Sequence, residues 1–165
     1  MSELIEPPRL VWPTTRVRES FLSGELADDI AEGRGPDRIE LAASDFNTYV
    51  AEARGVKQRW GVPSTFFWYI SGDLYIGTLV IRHSLTPALL IEGGHIGYHV
   101  ISTWRRQGHA TRMLAAGLDE CRQMRMPRVL LTCDPDNEAS RRTILANGGV
   151  PDKRLGAEDR FWIEL

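Results

Sequence analysis

Residues 99 to 114 read HVISTWRRQGHATRML, and the residue types in the middle of this stretch are those that hold anions. Arg105 and Arg106 bring positive charge, Gly108 lets the main chain approach a ligand closely, Ala110 is small for the same reason, and Thr111 offers a hydroxyl. The β-branched residues before them predict a strand and the rhythm after them predicts a helix. Where a strand turns into a helix through small residues, successive unpaired N–H groups converge at the positive end of the helix dipole, and such a point binds phosphate. An ordinary basic loop is the alternative that this segment leaves open. Two common nucleotide motifs are absent: there is no GxxxxGK followed by Ser or Thr, and Gly93, Gly94 and Gly97 do not form a GxGxxG leading into a helix.

The histidines raise a metal question. His95 and His99 would present both rings together on a helix, but on a strand the same spacing separates them by ~13 Å. With Gly93, Gly94 and Gly97 around them a strand is expected, and no metal. His83 and His109 add no ligand cluster. Cys121 and Cys133 are the two cysteines, with no close pair, which suits a reducing compartment and argues against a zinc knuckle or a disulfide scaffold.

Several elements must position these residues. A helix is expected within residues 14 to 32, with Thr14 and Thr15 as caps and Val17, Phe21, Leu22, Leu26 and Ile30 at helical spacing, although Gly24 and Gly33 run against it. Asp45 caps a second helix carrying Phe46, Tyr49, Val50 and Ala53. The stretches STFFWYIS and LYIGTLVIRH predict a hairpin turning at Gly72-Asp73. SLTPALLIEGG is expected to be a loop and HIGYHVIS the next strand. Then come a helix with Met113, Leu114, Gly117, Leu118, Cys121 and Met124 on one side, closed by Pro127, and the buried strand RVLLTC. A short helix follows, capped by Asp136 or Asn137 and stopped at Gly148, and KRLG is expected to pair with EDRFWIEL across Gly156-Ala157. The order predicts a helix-flanked sheet with at least one crossover.

At 165 residues, one domain spanning 1–165 is expected. Twenty Lys and Arg against twenty-two Asp and Glu leave a net charge of -2, so nothing suggests nucleic acid or an anionic membrane as a partner. MSELIEPPRL has no leader pattern, and no apolar run approaches the ~20 residues of a membrane span. A soluble cytoplasmic protein is expected.

Val100 followed by Arg105, Gly108 and Ala110 resembles the strand and R-x-x-G-x-A turn of the GNAT superfamily of acyl-CoA-dependent N-acetyltransferases. RVLLTCDPDNEAS is similar to that family's next strand and its Asn-x-x-Ser helix start, here Asn137 and Ser140. Order and spacing agree across about residues 74 to 149. RHSLTPALLIEGGHIGY and RFWIEL resemble a bacterial subgroup of predicted acetyltransferases, and the first sixty residues match weakly. The resemblance implies an α/β fold with a central mixed, mostly antiparallel sheet of about six or seven strands, flanked by helices and splayed at a cofactor cleft. It implies acetyl-CoA as co-substrate, its pantetheine arm lying between the strand ending near Val100 and Ile101 and the strand ending near Cys133. The pyrophosphate then falls on the backbone amides of Arg106, Gln107, Gly108, His109, Ala110 and Thr111, with Arg105 adding charge. Asn137 contacts the pantetheine arm, caps its helix, or does both. Arg141 and Arg142 meet a 3′-phosphate or simply form an exposed helix face.

The chemistry implied is transfer of acetyl to a primary amine by direct attack in a ternary complex. A strand N–H near Val100 or Ile101 serves the oxyanion. Many relatives place a glutamate base five residues before the valine; that position is His95, as a base or as a structural histidine on the Gly93-Gly94 loop. Many place a tyrosine acid seven residues after the asparagine, but here that residue is Ile144, so Ser140, Tyr98 or a water supplies the proton, or the thiolate leaves unaided. Cys133 is better read as a buried strand cysteine than as a nucleophile. The acceptor, a small-molecule amine or a protein or peptide amine, is expected near Glu25, Asp28, Asp29, Trp60 and the 83–94 loop with Glu92. A homodimer is in keeping with the family. The alternatives are a non-catalytic acyl-CoA-binding sensor or partner-binding domain on the same fold, and a generic phosphate-binding α/β domain.

Overall fold

A computed structural model describes residues 4–165. Strand β1 (Arg9–Val11) leads into helix α1 (Arg18–Ala31), then α2 (Glu40–Ser44) and α3 (Phe46–Ala53). Strands β2 (Val56–Arg59), β3 (Val62–Ser71) and β4 (Leu74–Arg82) follow, then the short helix α4 (Pro87–Ile91), β5 (Ile96–Val100) and α5 (His109–Gln123). The chain ends with β6 (Arg128–Cys133), α6 (Glu138–Ala146), β7 (Val150–Asp152) and β8 (Asp159–Glu164).

The strands form two sheets rather than one. The first has the order β1-β3-β4-β5, with β2 also along β3; the second has the order β6-β8-β7, and every ladder is antiparallel. Among the described residues eight strands stand where six or seven were expected, because β1 and β2, at three and four residues, are too short to show an alternating pattern.

Register decides which side chains meet. Trp68 pairs with Thr78 and Thr78 with His99, so these three share one face of the first sheet; Phe67, Leu79 and Tyr98 share the other. Helices α1 and α3 cover the first face with an aromatic cluster, in which the Phe21 ring stacks on Trp68 at 4.6 Å and meets Tyr75 edge-on at 4.8 Å. Helix α5 covers the second face through buried Met113, Leu114, Leu118 and Cys121. Gly24, which weakens α1 as a helix, permits its contact with the sheet: a Cβ there would lie 2.5 Å from Ile101 Cδ1.

Two expectations need correction. The 84–94 segment is not all loop, because Pro87 stands at the start of α4 and the Thr86 side chain accepts the Leu89 N–H at 3.1 Å. The C-terminal pairing does not use KRLG. It uses Val150–Asp152, where the Asp152 carboxylate accepts from Trp162 Nε1 at 3.0 Å and Arg160 Nη1 at 3.1 Å and so locks the register, leaving 153–158 as loop.

Candidate active site

The two sheets touch at one point and then part. His95 N–H donates to the Leu130 carbonyl at 2.8 Å, and Leu130 N–H donates back to His95 Nδ1 at 2.8 Å. No ladder joins β5 to β6 beyond this contact. Bonds from Arg82 N–H to the His95 carbonyl (2.7 Å) and from Ile101 N–H to the Ile76 carbonyl (3.0 Å) bracket the β4–β5 ladder. By the alternation of antiparallel pairs, Gly97, His99 and Ile101 spend their backbone groups on β4, while Ile96, Tyr98 and Val100 turn theirs into the gap. On that side the Val100 carbonyl accepts from Arg105 Nε at 2.9 Å. Of the two strand amides considered from sequence, Val100 is the one directed into the gap, and Ile101 is already bonded.

Tyr98 crosses the gap. Its hydroxyl lies 2.7 Å from Ser140 Oγ and 3.4 Å from the Ser140 carbonyl, at the start of α6. Burial pushes the phenol up to about 12, with the Ser140 bond pulling modestly the other way, so Tyr98 keeps its proton through the neutral range. Burial likewise raises the Cys133 thiol, at the end of β6. Ile144 is fully buried in the core.

The turn into α5 has the form expected of an anion cradle. Gly108 caps the helix with φ +80° and no side-chain cap, and Arg106 also has positive φ, at +62°. The first helical bond runs from Arg112 N–H to the Gly108 carbonyl at 3.3 Å, which leaves the N–H groups of His109, Ala110 and Thr111 ahead of any intrahelical acceptor. The Arg112 guanidinium drapes over this turn, donating to the Gln107 carbonyl at 2.9 Å. Sequence reasoning passed over Arg112, which its place one turn into the helix could have flagged. Arg105, by contrast, turns toward α1, with Nη2 3.8 Å from Asp28 and 3.7 Å from Glu32. Its guanidinium ties the turn to α1. The His109 ring packs between Trp104 and Tyr69, so only its main-chain N–H is available.

Asn137 caps α6 by accepting the Ser140 N–H at 3.1 Å, which leaves its amide NH2 group for a ligand. Arg141 is paired with Asp159, and Arg142 lies 3.5 Å from Glu138. Among the described residues no three His, Cys, Asp or Glu side chains converge where a metal ion could sit.

A cavity of about 780 Å³ opens on the other face of the first sheet, between α1, α3 and β2–β4. Phe21, Tyr49, Trp68 and Tyr75 wall it with aromatic surface, Glu25 and Glu52 add acidic groups, and Lys57 and Arg59 add basic ones. Thr78 lines it too and pairs with His99, so the cavity reaches the strand beside β5. Of the acceptor-site residues expected from sequence, Glu25 lines the cavity and accepts from the Tyr75 hydroxyl at 2.9 Å. Asp28 and Asp29 are buried against their own partners, Asp29 against Arg34 at 2.8 Å. Trp60 stacks on Arg82 at 4.2 Å, and Glu92 accepts the Ala157 N–H at 3.3 Å.

Residues 29–150 match the family model described as an acetyltransferase (GNAT) domain. No curated protein matches the chain. Among solved structures, Mycobacterium smegmatis RimJ in complex with CoA-disulfide superposes over 98% of this chain and 87% of that one, with a TM-score of 0.67 at 22% identity. The Salmonella typhimurium acetyl transferase that modifies the N-terminal serine of 50S ribosomal subunit protein L7/L12 covers 99% and 96%, with a TM-score of 0.62 at 14% identity. The microcin C7 self immunity acetyltransferase MccE, in complex with acetyl-CoA and AMP, covers 96% and 92%, also with a TM-score of 0.62 at 14% identity. At these identities the likeness is one of fold, and it agrees with the splayed α/β architecture expected from the two motifs.

Proposed function

Because the chain belongs to the GNAT acetyltransferase family, we propose that it transfers the acetyl group of acetyl-CoA to a primary amine by direct attack within a ternary complex. The observation that carries this reading is the gap between β5 and β6, with the Gly108 amide turn at its mouth and the Tyr98–Ser140 pair inside it. Those parts fit the donor: the amides of His109, Ala110 and Thr111, with Arg112 over them, suit a diphosphate, and the edge at Tyr98 and Val100, along which no strand pairs, suits an amide-bearing arm. Similar structures that hold CoA-disulfide or acetyl-CoA support the same choice.

Acetyl-CoA supplies a thioester whose carbonyl carbon the amine attacks. Val100 N–H faces the carbonyl oxygen and stabilises the negative charge that builds there. Tyr98, protonated at neutral pH, donates to the departing sulfur, with Ser140 orienting its hydroxyl. The amine enters through the aromatic cavity, where the acidic Glu25 and Glu52 stand beside the basic Lys57 and Arg59. The Salmonella relative's action on a protein N-terminus supports a peptide or protein amine, and the cavity volume also admits a small-molecule amine. His95 serves as a positioning residue, since its Nδ1 is committed to Leu130 N–H at the junction of the sheets. The proposal takes the chain as one catalytic domain working in the cytoplasm, where the free thiols of Cys121 and Cys133 stay reduced.

The test is release of CoA thiol from acetyl-CoA across a panel of peptide and small-molecule amines. Amine-dependent release supports the reading. Thermal stabilisation by acetyl-CoA without release on any amine would identify a sensor instead.

A further inference from the structure

Asp28 is a buried carboxylate on α1 that the acyl-transfer reading does not use. It accepts from the Ser102 N–H at 3.0 Å and from the Ser102 hydroxyl, and two nitrogens approach it: His99 Nε2 at 3.6 Å and Arg105 Nη2 at 3.8 Å. Burial pushes this carboxyl up, but the two Ser102 bonds and the charges of Arg105 and His99 outweigh it and hold the group below the ordinary carboxylate value. Asp28 is thus a fixed anion aimed at one edge of the His99 ring.

We propose that His99, oriented by Asp28, is the base that takes the proton from the attacking amine, a role that rests on the acyl-transfer reading above. Strand geometry places it for this. His99 lies between Tyr98 and Val100, and its side chain leaves the opposite face of β5 from Tyr98. A proton acceptor on the cavity face and a proton donor on the α6 face therefore flank the strand amide that steadies the carbonyl oxygen. The directly opposed residue on β4 is Thr78, which lines the cavity, and such pairs sit about 5.5 Å apart. His99 Nε2 is buried 3.6 Å from Asp28 Oδ2 without a hydrogen-bond partner, while the side chain as a whole keeps 36% of its surface. With Nε2 protonated toward the carboxylate, the Nδ1 lone pair is left on the accessible edge.

The step balances. The amine nitrogen forms the bond to the acyl carbon and gives one proton to His99 Nδ1. The carbon–sulfur bond breaks, the sulfur keeps its electron pair, and Tyr98 supplies the proton it takes up. His99 then releases a proton to solvent as Tyr98 regains one. The charged and polar groups set against the ring are Asp28 from α1, Arg105 from the turn after β5, and Thr78 from β4. Arg105 pairs with Asp28 rather than standing alone against the ring.

The experiment pairs kinetics with an NMR readout on the free protein. His99→Gln is expected to lower kcat/KM for the amine about 10²-fold or more at neutral pH while leaving the Kd for acetyl-CoA within about twofold. Nitrogen-15 spectra of the free protein are expected to show His99 protonated at Nε2, and Asp28→Asn to move the ring toward the Nδ1-protonated tautomer and lower kcat/KM for the amine with it. Retention of wild-type kcat/KM by His99→Gln, or a free-protein tautomer with the proton on Nδ1, would overturn this assignment while leaving acyl transfer standing. A wild-type protein that releases no thiol with any amine overturns the parent reading and, with it, this one.

Discussion

The hydroxyl of Tyr98 on β5 and the hydroxyl of Ser140 on α6 meet at 2.7 Å across the gap between the two sheets. In the proposed mechanism this pair supplies the proton to the departing sulfur, since Ile144 is aliphatic and buried. Replacing Tyr98 by Phe is therefore expected to lower kcat about 10²-fold with little change in the Kd for acetyl-CoA. Ser140→Ala, which removes only an orienting partner, is expected to cost less. Steady-state thiol release with kcat and KM resolved separately checks both.

The cradle rests on backbone, so it should be sensitive to a Cβ. Gly108→Val forces a branched residue to φ +80° and places its Cβ 2.8 Å from Arg112 Nη1. Left-handed backbone costs an L-residue about 1–2 kcal/mol, and the added bulk lies where a diphosphate would approach. Loss of acetyl-CoA binding by calorimetry, with far-UV circular dichroism unchanged, is the expected result.

Two arginines on the same turn should separate cleanly. Arg112→Ala is expected to weaken acetyl-CoA binding about tenfold and to reduce its salt dependence, because this cation overlies the amides. Arg105→Ala is expected to lower the thermal midpoint instead, because it unties the turn from Asp28 and Glu32.

Burial first, and then the charges of Arg128 and Arg82, push the His95 imidazole from 6.5 down to about 4. The unfolded chain binds this proton more readily than the native one between those two values. Stability from this group is thus complete above about pH 6.5 and falls as pH drops toward 4. Urea midpoints measured from pH 4.5 to 7.5 should show that slope, and His95→Gln should flatten it.

The amine and the donor are expected to use different sides of β5. Ala53→Trp, at the cavity wall formed by α3, should raise the KM for the amine about tenfold and leave the Kd for acetyl-CoA unchanged. Parallel measurement of the two constants separates this from a general loss of folding.

Much of this architecture could be read from residue patterns. Asp45 and Asn137 announce their helices because a short polar side chain before a helical run has one favourable use, accepting an N–H of the first turn. RVLLTC coincides with β6 because a bounded apolar run of that length is too short for a helix. What was not legible depends on pairing across long separations. Asp28 looks like part of a solvated helix face until α1 is docked on β5, and only then do Ser102, His99 and Arg105 gather round it. His99 looked like half of a poor metal pair because a strand hides from the sequence which of its faces meets a cavity. Arg105 and Arg112 are chemically equivalent in the sequence, and the direction of the chain through the Arg106 and Gly108 turn decides which of them lies over the amides.

The most direct test of the central claim is a crystal structure of the protein with acetyl-CoA. The account predicts the diphosphate on the amides of residues 108 to 111, the acyl oxygen within hydrogen-bonding distance of Val100 N–H, and the sulfur beside the Tyr98 hydroxyl. Acetyl-CoA bound elsewhere with the gap between β5 and β6 closed would contradict it.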